Sequence, residues 1–198
     1  MTYKAIIWDM GGVIMRTENQ SHRIKLAERI GVDPREMAQL IFDSEESRQA
    51  QMGEIPARAF WDGAGARYGL RHEEFMTEFF KGDIIDQELV QSIRQLRPRY
   101  KNGLLSNAFS DLRYWVTEWK IDYAFDHMLI SAEVNLMKPD LAIYSLAAQH
   151  LGVTPQEAVF IDDVTANVEG ASLAGMQGIQ FTSREKTLGD LQALLDTE

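Results

Sequence analysis

The chain contains no cysteine. Disulfide bridges, thiolate nucleophiles and cysteine-ligated metals are therefore excluded. Long apolar runs are missing as well. The first run, in MTYKAIIWDMGGVI, is broken by Asp9 after four residues, too short for the core of a signal peptide or for a membrane span. Positive charge is in short supply, with 20 Lys and Arg against 30 Asp and Glu and a formal net charge of −10. Such a chain repels a phosphate backbone, so no nucleic acid partner is expected. Small anions are not favoured either, and a phosphate site here must gather positive groups locally. Internal repeats, low-complexity tracts and charge blocks are also absent. The expectation is a cytoplasmic protein without a membrane partner.

What remains is 198 residues with an ordinary hydrophobic fraction of 45%. That length suffices for one sizeable core, alone or with a small accessory lobe. Four short apolar runs read as buried strands: Ala5 to Trp8, Gly103 to Leu105, Met128 to Ile130 and Ala158 to Ile161. A fifth is expected at Gly178 to Phe181. The runs do not alternate polar with apolar, as in parallel sheets covered by helices on both faces. Helical spacing appears between them. Leu112, Trp115, Val116 and Trp119 form one apolar stripe, and Leu141, Tyr144, Ala148 and Leu151 another. Thr154-Pro155-Gln156-Glu157 carries capping-box chemistry for a single turn, and residues 164–174 read as a helix stopped by Gly175.

About 85 residues separate the first strand from the second, and all of them read as helical. Asp33-Pro34-Arg35-Glu36 is a second capping box, and Ile24, Ala27, Ile30, Met37, Leu40, Ile41, Phe60, Phe75 and Phe79 fall at helical spacings. Helix 86–97 then returns to the sheet. The expected division is an α/β core of residues 1–15 and 83–198, and a helical insertion of residues 16–82.

Polar residues of four kinds fall just after the four buried runs. Asp9 ends the first, Ser106-Asn107 the second, Asp162-Asp163 the fourth, and Lys138 follows the third across a short loop. In open parallel sheets, ligands bind outside the carboxyl ends of the strands. Separate segments thus deliver carboxylates, a hydroxyl and an ammonium to one place. Singly, each has a plain explanation: a helix cap, a turn residue, a solvated loop lysine.

In order, IIWDMGGVI, GLLSNA, the lysine of MKPD and VFIDDVTANVEGA resemble the four motifs of the haloacid dehalogenase-like hydrolase superfamily. The resemblance covers nearly the whole chain. It implies a Rossmann-like parallel sheet with a small helical cap inserted after the first motif. It also implies Mg²⁺-dependent hydrolysis of a small phosphorylated metabolite, such as a sugar phosphate, through an aspartyl-phosphate. Asp9 is then the nucleophile, which splits one hard displacement into two easier ones. Asp9, Asp163 and the Gly11 carbonyl are the expected Mg²⁺ ligands, with Asp162 acting through water or orienting the shell. Ser106 and Asn107 are placed on the phosphate. Lys138 neutralises both Asp9 and the phosphoryl group. Asn167 is a candidate supporting residue.

One position departs from that pattern. The commonest phosphatase version has a second aspartate two positions after the nucleophile, where this chain has Gly11. Its proton work would then fall to water or a cap residue, be spared by a good leaving group, or be lost in a weak enzyme that serves as a phosphate-binding regulator. His22 is a candidate donor. Arg48, Gln51 and Glu54 are candidate substrate contacts at a break between cap helices, while Phe60, Trp61 and Phe75 read as cap core. A 2-haloacid dehalogenase is the alternative chemistry, but it gives the Asp162-Asp163 pair no purpose.

Overall fold

The computed structural model describes residues 2–196. Its strands are β1 (Ala5–Trp8), β2 (Met15–Thr17), β3 (Asp83–Ile85), β4 (Lys101–Ser106), β5 (His127–Ile130), β6 (Ala158–Asp162) and β7 (Gln177–Gln180). Five of them form one sheet in the order β5-β4-β1-β6-β7, every neighbouring pair parallel. This is the Rossmann-like α/β architecture expected from the unbroken apolar runs.

The pleat explains those runs. Successive side chains of a strand point to opposite faces. Ile6 and Trp8 join Leu104, Val159 and Ile161 in one core, while Ala5 and Ile7 join Leu105, Ala158 and Phe160 in another. The first core is covered by α6 (Gln87–Leu96), α7 (Leu112–Glu118) and α11 (Arg184–Asp196); the second by α9 (Leu141–His150) and α10 (Thr165–Leu173). Both faces are buried, so a polar residue survives there only when paired, as Asn102 is with the Ile93 carbonyl at 2.8 Å. Leu141 departs from its expected stripe and is exposed, because the inward face of α9 is set by Ile143, Tyr144, Ala147 and Ala148.

Between β2 and β3 lie α1 (Ser21–Ile30), α2 (Pro34–Phe42), α3 (Glu45–Gln51), α4 (Ala57–Arg67) and α5 (His72–Phe80). Their cluster includes Ala27, Met37, Ile41, Phe60, Trp61, Phe75 and Phe79. Asp33 caps α2 by accepting from the Arg35 N–H at 2.7 Å, with Pro34 leading the first turn. The all-helical expectation misses one feature. Met15–Thr17 and Asp83–Ile85 pair as an antiparallel ribbon at the two ends of this helical stretch. Asp86 ties the ribbon to α6 and α11. It accepts from Arg16 and Arg184, each at 2.7 Å, and from the Leu89 N–H at 2.9 Å.

No helix among the described residues is long and apolar enough to cross a membrane.

Candidate active site

The strand order reverses across β1, and its carboxyl end and that of β6 bring together the residues singled out from the sequence. Ligand crevices form at such reversals. Asp9 follows β1 with its N–H bonded to the Ile161 carbonyl at 2.9 Å. Lys138 reaches in from the loop beyond α8 (Ser131–Val134). Its Nζ donates to Asp9 Oδ1 at 2.7 Å, to Asp162 Oδ2 at 2.6 Å and to the Leu105 carbonyl at 3.2 Å. All three side chains are buried, whereas Asp163 is exposed. The difference follows from the strand. Asp162 is its last pleated residue and points inward, and the chain turns at Asp163.

Asp162 has no oxygen to spare. Oδ1 accepts from the Val164 N–H at 2.8 Å, and Asn167 Nδ2 bridges Oδ1 and Oδ2 at 3.1 and 3.0 Å. Its geometry suits it to fix Lys138 rather than to bind a metal. Asn167 is held in turn by α9, with Tyr144 Oη donating to its carbonyl at 2.8 Å. Asn107 also lines the cleft while pairing with the lysine's backbone. Its Oδ1 accepts from the Lys138 N–H at 2.8 Å and its Nδ2 donates to the Lys138 carbonyl at 2.9 Å. Asn107 thus braces the lysine's backbone, and Ser106 stands at the end of β4 on the wall of the cleft.

Charge is unbalanced here. Asp9, Asp162 and Asp163 offer carboxylate oxygens within 4.8 Å of one another, with one ammonium between them. Burial pushes Asp9 up to about 7; Lys138 opposes the rise and Asp162 adds to it. Burial also raises Asp163, with Asp162 adding to the effect. Lys138 is itself disfavoured by burial, but its two carboxylates more than offset this and keep it charged. A carboxylate cluster short of positive charge fits a divalent cation such as Mg²⁺. With Asp162 saturated, Asp9 and Asp163 are the carboxylates free to ligate it.

The glycines after Asp9 differ. Gly12 has φ +76°, and a Cβ there would lie 2.1 Å from Asp163 Oδ2. Glycine is therefore required for the Asp163 carboxylate to come this close. A Cβ on Gly11 would meet nothing within 4 Å.

Above these residues opens a cleft of about 1090 Å³, walled on one side by the sheet's loops and on the other by helices α1 to α5. Gln51 lines it; Arg48, Glu54 and His22 are not among its lining residues. Arg48 pairs with Glu45 instead. The break at residues 51–54 is a seat on the sheet side. Ser131 Oγ donates to the Gln51 carbonyl at 2.6 Å and Asn135 Nδ2 to the Met52 carbonyl at 2.6 Å. Gly53, at φ +73°, sits so close that a Cβ would lie 2.2 Å from the Ala132 carbonyl oxygen. Trp61 packs in the helical cluster as expected but also lines the cleft, its Nε1 donating to Asp111 Oδ2 at 3.2 Å. Burial raises Asp111 above the usual carboxylate range. Sequence reasoning passed over Asp111, Trp115 and Trp119 as lining residues.

Comparison with known proteins agrees with this geometry. The model of the haloacid dehalogenase-like hydrolase family matches residues 3–175. A sesquiterpene phosphatase of Aspergillus oryzae is 26% identical over 202 residues, spanning 98% of this chain and 97% of that one. A phosphorylated carbohydrates phosphatase of Thermotoga maritima is 28% identical over 214 residues, spanning 98% of this chain and 90% of its own. Among solved structures, a haloacid dehalogenase family enzyme of Bacteroides thetaiotaomicron, complexed with magnesium and inorganic phosphate, superposes with a TM-score of 0.78 at 22% identity. That match covers 91% of this chain and 94% of the other. A hydrolase fold, matching over most of its length and carrying the family's four polar positions on adjoining strand ends, places this chain in the haloacid dehalogenase-like hydrolases.

Proposed function

We propose that the protein is a Mg²⁺-dependent phosphatase that removes phosphate from a small phosphorylated metabolite in the cytoplasm, with Asp9 as nucleophile. The observation that carries this reading is the Lys138 ammonium, held at 2.7 Å from Asp9 and 2.6 Å from Asp162 beside the open carboxylate of Asp163. A buried aspartate braced by a lysine, at the floor of a cleft, is equipped to attack an anionic centre.

The steps assigned to this chain's residues are these. The phosphoryl group settles beside Ser106 Oγ, and the Lys138 ammonium, its N–H groups given to Asp9, Asp162 and the Leu105 carbonyl, neutralises part of the charge through the field it adds there. An Asp9 oxygen attacks phosphorus, the bond to the ester oxygen breaks, and an acyl phosphate forms on Asp9. Water then attacks that phosphorus, releasing inorganic phosphate and restoring the carboxylate. Asp162 and Asn107 keep Lys138 aligned throughout. Asp9, the Gly11 carbonyl and Asp163 would hold Mg²⁺, which when bound screens the repulsion between nucleophile and phosphate. Residues 16–82 act as the cap, with helices α1 to α5 covering the cleft against water.

The two relatives that match over nearly full length are named for quite different leaving groups, a terpene and a carbohydrate. Names alone therefore do not select the alcohol. A dehalogenase is disfavoured by the three clustered carboxylates, which that chemistry does not need. The test is phosphate release from a metabolite panel with and without Mg²⁺. Release should require the metal and vanish in Asp9→Asn while the circular dichroism spectrum is kept. Release that persists in Asp9→Asn would end the proposal.

A further inference from the structure

The wall of the cleft carries more information than its floor. Away from the phosphate end, its surface is aromatic and aliphatic: Phe42, Met76, Phe80, Phe109, Trp115 and Trp119 are all part of it. Phe42 is 45% exposed and Trp115 37% exposed, each only partly covered, Phe42 by Phe79 and Arg23 and Trp115 by Tyr114 and Trp119. Exposed apolar surface gathered in one groove marks a ligand site.

Several polar side chains of the same wall are occupied. Arg23 forks onto Asp83 at 2.9 and 2.8 Å and donates to the Phe79 carbonyl at 3.2 Å. Arg16 is shared between the Val13 carbonyl and Asp86, both at 2.7 Å. Gln51 donates to the Phe42 carbonyl at 3.2 Å and to Ser47 Oγ at 2.9 Å. Trp61 is turned to Asp111. On this wall Thr17, Gln20 and Thr77 remain, together with the half-exposed Lys81, whose one ion pair is to Glu78 at 3.5 Å. A sugar buried here would leave most of its hydroxyls unpaired, and an unpaired buried polar group is costly. A hydrocarbon chain has no such cost and gains from the aromatic wall.

We infer that the cleft takes a monophosphate ester whose alcohol is a long, mainly hydrocarbon chain, with its tail along the wall formed by Phe42, Phe80 and Trp115. The inference rests on the phosphatase reading and names its substrate class. The reaction balances as an ordinary hydrolysis. The phosphorus–oxygen bond to the alcohol breaks, a bond from phosphorus to water oxygen replaces it, and the alcohol leaves with a proton drawn from water.

The experiment follows phosphate release by the full chain with Mg²⁺ from ethyl, hexyl and decyl phosphate, each below its micelle concentration. Glycerol phosphate, a hexose phosphate and nitrophenyl phosphate run alongside. kcat/KM should climb by up to about fourfold per buried methylene, and on the order of a hundredfold or more from ethyl to decyl. Phe42→Ala and Trp115→Ala should each lower the decyl-to-ethyl ratio about tenfold, a loss of apolar contact. Either variant suffices if the other does not fold. A flat alkyl series, or a hexose phosphate outrunning decyl phosphate, overturns the inference and leaves the phosphatase reading standing. To separate the two failures, binding of decylphosphonate and ethylphosphonate is measured by tryptophan fluorescence. Tight decylphosphonate binding with no turnover of any ester supports the hydrocarbon cleft and refutes the phosphatase. Equal binding of the two phosphonates overturns the cleft assignment.

Discussion

Gly11→Asp should turn this enzyme into a better catalyst for esters with poor leaving groups. The position is open, since a Cβ on Gly11 meets nothing within 4 Å, and its backbone lies outside the left-handed region that penalises a side chain. The same substitution at Gly12 would drive a carbon to 2.1 Å from Asp163 Oδ2 and should abolish the site. Replacing a glycine at a compatible backbone conformation changes stability by only about 1 kcal/mol, through the unfolded chain. The effect on rate is much larger. A positioned general acid is worth ~10²–10⁴-fold. A grafted one, without tuned neighbours, should deliver about 10²-fold on alkyl phosphates, equal to about 2.7 kcal/mol of barrier. Nitrophenyl phosphate needs no proton on its leaving group, so its first step should change less. Pre-steady-state phosphate and nitrophenol release separates the two steps. A burst that shortens equally for both substrates would assign the gain to hydrolysis of the aspartyl-phosphate instead. If Gly11→Asp gains nothing on any ester while still binding Mg²⁺ and phosphate, the reasoning is wrong. Asp111, raised by burial and facing the cleft, would then be the donor to test by Asp111→Asn.

Asn167→Ala should destabilise the protein by about 2 kcal/mol, because it strips two bonds from the buried Asp162 carboxylate and bonds to charged groups are worth ~1.5–3 kcal/mol; urea denaturation measures it. Asp86 gives a pH dependence. Burial alone would raise its pKa, but bonds from Arg16, the Leu89 N–H and Arg184 more than offset this and hold it below the usual value. A depressed folded pKa contributes stability that is present above the unfolded value of about 3.9 and is lost as pH falls through the folded one. Stability titrated through this acid range should therefore fall less steeply in Asp86→Asn than in the wild type. Ser131→Ala removes the 2.6 Å bond to the Gln51 carbonyl, and hydrogen exchange around residues 51–54 should quicken; unchanged exchange would show that Asn135 and the Gly53 contact hold the seat without it.

The sheet was legible because a strand buried on both faces leaves an unbroken apolar run, and four of the five carry one; β7, an edge strand, is only partly buried. The site was legible because each polar residue interrupts or follows such a run at the strand end. Asp162 and Asp163 were not separable, since adjacent identical residues differ only in which way the pleat turns them. One is saturated by N–H donors and the other is exposed. Asn107 read as a phosphate contact; it lines the cleft, and its pairing with the Lys138 backbone leaves no mark in a sequence. Leu112, Trp115, Val116 and Trp119 read as one apolar stripe. Leu112 and Val116 are buried in the core and Trp119 packs against it, while Leu112, Trp115 and Trp119 also line the cleft, and periodicity gives no way to tell one apolar surface from another. The β2–β3 ribbon escaped notice because two three-residue strands carry no period, and their partners sit at opposite ends of the helical stretch.

The central claim is that Asp9 accepts the phosphoryl group. It is tested most directly by mixing the protein with Mg²⁺ and a turned-over phosphate ester, quenching in acid within the first turnover, and mapping phosphorylated peptides by mass spectrometry. The account predicts a phosphoryl group on Asp9, dependent on Mg²⁺ and absent from Asp9→Asn. Full phosphate release with an unmodified Asp9, or a phosphoryl group on Ser106, would contradict it.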